Sequence, residues 1–104
     1  MSIDVHGALC AAISARFHPA AAKIRSSSLC RWSSVTFVGA RHRYALCVSG
    51  DDAEALVDRA TAAMLGEDFA LEGHVVADIA VAGRRSCGPH VVEIELEALT
   101  VEAN

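Results

Sequence analysis

Aromatic residues are scarce in this chain, at 5% of its 104 residues, so a core built on large rings is excluded. Small side chains must fill it, which requires elements that approach closely. No run reaches the roughly 18 apolar residues of a membrane span. The first residues carry no basic leader ahead of their apolar stretch, so no export signal is read and a cytoplasmic location is expected. There is no excess of positive charge: the formal charge is -4 and the pI about 5.6, which argues against non-specific nucleic-acid binding. The four cysteines, Cys10, Cys30, Cys47 and Cys87, form no CxxC pair and are read as reduced thiols. No GxGxxG, P-loop, GxSxG or HExxH motif occurs, and no HxxxH or HxH spacing that would hold a metal, so neither a metal nor a cofactor is expected. Cys87 and His90 form a CxxH, but this leads into a strand rather than a helix, which argues against a redox pair.

What is present fits a single domain over residues 1–104, long enough to bury about 60–70% of its unfolded surface without staples. Asp4 is a cap for a first helix, along which Val5, Leu9, Ile13 and Phe17 make one stripe. A break is expected at His18-Pro19. Residues 19–31 are left open between helix and loop: Ala20 to Arg25 are helix formers, whereas Ser26, Ser27 and Ser28 read as a surface connection, basic through Lys23, Arg25 and Arg31. A first hairpin follows, with strands at 34–38 and 41–48 and a Gly39-Ala40 turn, placing Val35, Phe37, His42, Tyr44, Leu46 and Val48 on the core side. Asp51 and Glu54 have capping-box spacing ahead of a second helix bearing Ala53, Leu56, Val57, Ala60 and Met64 and ending at Gly66. Phe69 and Leu71 are expected to plug the core edge.

A second hairpin closes the chain. Its first strand puts His74 and Asp78 on one face, residues 83–89 read as a loop, and residues 91–101, VVEIELEALTV, alternate apolar positions with Glu93, Glu95 and Glu97. A bulge near residues 97–99 is expected from a change of phase there. The order is αββαββ. It predicts an α+β fold with a four-stranded antiparallel sheet and two helices on one face, a circular permutation of the ferredoxin-like plait. The last strand is then central, and His42, His74, Glu95, Glu97 and Thr100 should meet at one sheet end, with Arg41 and Arg43 opposite Glu95 and Glu97 on the open face.

Three segments, residues 37–44, 73–79 and 97–102, resemble short uncharacterised bacterial proteins, and the resemblance extends over most of residues 35–102. It implies no activity. The polar face can be a solvated surface with cross-strand ion pairs. As a functional surface it suggests an interaction module that forms a homodimer through the open sheet face. The alternative is a small-molecule binder or enzyme, taking a small anionic ligand, with its site among Arg41, His42, Arg43, His74, Asp78, Glu95, Glu97 and Thr100.

Overall fold

Asp4 accepts a hydrogen bond from the Gly7 amide at 3.0 Å and so starts helix α1 (Val5–Ser14), which turns Leu9 and Ile13 inward, with Phe17 buried just beyond its end. A computed structural model of the protein describes residues 4–17, 22–66 and 69–103. The expected break at His18-Pro19 lies outside those residues, as do Glu67 and Asp68. After α1 come β1 (Ala22–Ser33), β2 (Val38–Ser49), α2 (Ala53–Gly66), β3 (His74–Gly88) and β4 (Val91–Glu102), the αββαββ order.

The sheet runs β1-β2-β4-β3 with every neighbour antiparallel, and β4 is central as its alternation requires. Even-numbered residues of β2 and β4, among them Tyr44, Leu46, Val48, Val92, Ile94 and Leu96, form one core cluster with Leu9 and Ile13 of α1 and Ala53, Val57, Ala60 and Met64 of α2. Both helices therefore cover the same face. Phe69 belongs to that cluster and Leu71 packs against it.

Residues 22–33 are neither helix nor loop. They form the edge strand β1, in which Ser27 pairs with Tyr44 and Leu29 with His42. Local propensity favours a helix over residues 20–25, but the outer edge of β2 needs a ladder partner along its whole length, and that non-local demand decides the conformation. The hairpin turn shifts accordingly to residues 34–37, closed by Ser34 N–H donating to the Phe37 carbonyl at 2.7 Å. Val35 and Phe37 are consequently exposed, not core. Gly39 is a strand residue where backbones approach closely: a Cβ there would collide with the Thr100 carbonyl oxygen and stand 2.9 Å from the Trp32 ring.

Residues 83–88, expected as loop, extend β3, which leaves Pro89 and His90 as the turn. The bulge expected in β4 is absent, for its register with β2 is unbroken and Ala98 and Thr100 keep the buried phase. Instead β3 is irregular at three places, where Ala77, Ala82 and Cys87 are extra residues. The Glu54 carboxylate, expected in a capping box, bonds Arg84 and Ser86 on β3 and ties α2 to the sheet edge.

Candidate functional site

The strand pairing divides the expected site residues between the two faces of the sheet. Directly paired residues share a face. On the helix side lie His42 and Thr100, both fully buried, with His74 at the rim opposite Glu102. On the open side lie Arg41, Arg43, Asp78, Glu95 and Glu97. The extra residue at Ala77 flips the strand between His74 and Asp78, so these two do not project together.

On the helix side the geometry sets the protons. The Thr100 hydroxyl donates to the Ala40 carbonyl at 3.5 Å, so its oxygen accepts from Nε2–H of His42 at 2.8 Å. His42 in its neutral form then presents a bare Nδ1, which lies 2.9 Å from Nδ1 of His6 on α1 and accepts that ring's N–H. Tyr44 donates its hydroxyl to the His6 carbonyl at 2.7 Å, and its ring stacks on His6 with centroids 4.7 Å apart. Burial, then the neighbouring His6 and His74, push the His42 pKa down to about 4. Burial, reinforced by Cys10 and Asp4, raises that of Tyr44. At neutral pH both are uncharged. The arrangement anchors the first turn of α1 on β2 and leaves no bare donor or acceptor at His42.

His6 and Tyr44 complete this cluster and were not among the expected site residues. The signal for His6 was present, since positions 6, 9, 13 and 17 also follow helical spacing.

The open face reads in rows across the strands. One row is Ser28, Arg43, Glu97 and Ala80; the next is Ser26, Ala45, Glu95 and Gly83; a third is Lys23, Cys47, Glu93 and Arg85. Arg43 bonds Glu97 as expected. Arg41 stands opposite Leu99 instead of an acid. Glu93 is held from two sides, by Arg25 at 3.0 Å and Arg85 at 2.6 Å, contacts that place two further arginines on this face. Arg85, followed by other groups nearby, holds the Glu93 carboxyl below its ordinary pKa. Glu95, between Ala45 and Gly83, makes no ion pair among the described residues. Small residues beside long ones leave shallow grooves, one of about 490 Å³ beside Arg25, Glu93 and Glu95 and another of about 420 Å³ beside Ser28, Arg41 and Asp78.

Charge is segregated along the chain in a way the net figure conceals. Residues 5–50 contain six of the nine Lys and Arg and no acid, whereas residues 51–104 contain twelve of the thirteen acids. In the sheet this becomes a basic half, β1 and β2, beside an acidic β4.

Among the described residues no cluster of three or more His, Cys, Asp or Glu has the geometry to hold a metal ion, and no helix is long and apolar enough to cross a membrane. Comparison with known proteins finds no matching family model, curated protein or solved structure.

Proposed function

We propose that the chain is an interaction module that pairs with a second copy of itself through the open sheet face. The observation that carries this reading is the division of that face into a basic half and an acidic strand. Rotation by half a turn about an axis lying parallel to the strands, between β2 and β4, lays β2 of each copy over β4 of the other and β1 over β3. Arg43 of one protomer then meets Glu97 of its partner, and the two in-chain pairs join into an alternating ring of four charges. Arg41, which makes no ion pair among the described residues, comes to lie over Leu99 of the facing sheet with Asp78 beside it.

The area is sufficient. Four strands about 4.8 Å apart and roughly eleven residues long present about 700 Å² per copy, near the ~800 Å² per partner of a stable interface. The αββαββ order is, on this reading, a permuted ferredoxin-like plait with its uncovered face used for assembly. The four cysteines remain thiols, which supports a cytoplasmic setting.

Sedimentation equilibrium tests the proposal. The expected result is a dimer, with Arg43→Glu raising Kd by about tenfold or more and Arg43→Glu combined with Glu97→Arg restoring it. A monomer at every concentration, or a dimer indifferent to Arg43→Glu, overturns it.

A second reading rests on the groove beside Ser28, Arg41 and Arg43, whose two guanidinium groups suit a small anionic ligand. It predicts thermal stabilisation by phosphate or carboxylate metabolites that is lost in Arg41→Ala, measured by a thermal-shift screen.

A further inference from the structure

The two edges of the sheet are built differently. The β3 edge is interrupted at Ala77, Ala82 and Cys87, and such irregularities blunt an edge against further pairing. The β1 edge has one irregularity, beside Arg25, and then pairs without a break from Ser26 to Ser33. Residues 23–31 are exposed on both faces, including Ile24 and Leu29, which stand on the helix side and yet remain exposed. A regular edge of this length exposes unpaired backbone donors and acceptors as well as apolar side chains.

We infer that the free edge of β1 takes up an extended acidic segment of a partner protein as a fifth strand. Charge selects this occupant. Lys23 and Arg31 stand at the two ends of the exposed run with no ion pair among the described residues, and no acid occurs anywhere in residues 5–50. A second copy is disfavoured there, because antiparallel pairing of β1 with β1 lays the Lys23 end of each strand beside the Arg31 end of the other and supplies no acid to either. Lys23 projects on the open side and Arg31 on the helix side, so a segment of about eight residues with a carboxylate at each end, one on either face, and apolar side chains opposite Ile24 and Leu29 satisfies the ladder, the charges and the apolar surface together. The edge and the open face are separate surfaces, so this inference does not depend on self-association.

Trp32, the chain's single tryptophan, lies at the end of β1 against Gly39 and reports on the edge. The experiment titrates the full chain with the synthetic octapeptide Glu-Thr-Val-Thr-Val-Thr-Val-Glu, which in antiparallel pairing sets its valines on the side of Ile24 and Leu29 and its two glutamates on opposite sides, and follows Trp32 fluorescence. Expected are saturable binding, loss of binding when alternate peptide amides are N-methylated, and about tenfold or greater weakening in the exposed double variant Lys23→Glu, Arg31→Glu. Binding should also fall with salt in the unmodified chain, which serves as an independent reading if that variant folds poorly. Arg43→Glu, on the open face, should leave peptide affinity unchanged. Absence of binding, equal binding of the N-methylated peptide, or loss of binding in Arg43→Glu alone overturns the inference. Sedimentation reads the dimer separately.

Discussion

At the scale of single residues, His42 is the group through which pH acts on stability. Its folded pKa, about 4, lies below the ordinary 6.5, so the folded chain resists a proton that the unfolded chain accepts. Above pH 6.5 neither state binds it and no penalty exists. Between pH 6.5 and 4 stability falls progressively, by about 3 kcal/mol in all, and below that range this group contributes no further change. Urea unfolding at a series of pH values measures the slope. Thr100→Val removes the oxygen that receives the His42 Nε2–H and should cost about 1–3 kcal/mol at neutral pH by the same assay. The buried, fully bonded state of His42 explains why it serves the docking of α1 and not the open face, although it sits on the same strand as Arg41 and Arg43.

At the scale of elements, the junction of β2 and β4 carries the molecule. Val92, Ile94 and Leu96 of β4 contact the core through one side while Glu93, Glu95 and Glu97 face out through the other, and β2 matches them residue for residue over eleven pairs. Gly39 lies where that ladder, the Trp32 ring and the Thr100 carbonyl converge. Gly39→Ala should therefore cost about 2–4 kcal/mol, as overpacking that the backbone must yield to, and should change the Trp32 emission of the folded chain. An unaltered unfolding midpoint would show that the strands separate there without strain. The irregularities of β3 matter at the same scale, because the extra residue at Ala77 alone decides that Asp78 faces the open side and His74 the helices.

For the whole molecule, the division of charge matters more than its sum. A net charge of -4 predicts mild mutual repulsion, yet each copy presents a basic half and an acidic strand on one face. Attraction of this kind acts between exposed groups across an interface and is screened once the Debye length falls from about 10 Å at 0.1 M salt to about 3 Å at 1 M. The proposed dimer should thus weaken as salt rises, whereas an apolar interface would strengthen or stay constant under the same change. Sedimentation at the two ionic strengths distinguishes these. The molecule measures 47 × 24 × 20 Å, its long dimension matching strands of twelve to fifteen residues, so the uncovered face is broad enough to act as a surface and not as a single point of contact.

The sequence by itself determined the elements whose pattern is local. The stripe Leu9, Ile13, Phe17, the stripe Ala53, Val57, Ala60, Met64 and the alternation of β4 each follow from a periodicity that one core-facing side imposes, and with the element order they led to the central place of β4 and the sheet order. Among the site residues, the pairing of Arg43 with Glu97 was legible because it follows from strand order and parity alone. The tertiary structure decided the rest. Residues 22–33 carry no alternation that marks a strand, for an edge that is exposed on both faces leaves none, and only the need of β2 for a partner makes them β1. Which face Asp78 and His74 take depends on an extra residue that pairing, and not composition, inserts. His6 and His42, 36 positions apart, meet because α1 packs across β2, a contact between elements that no local pattern encodes.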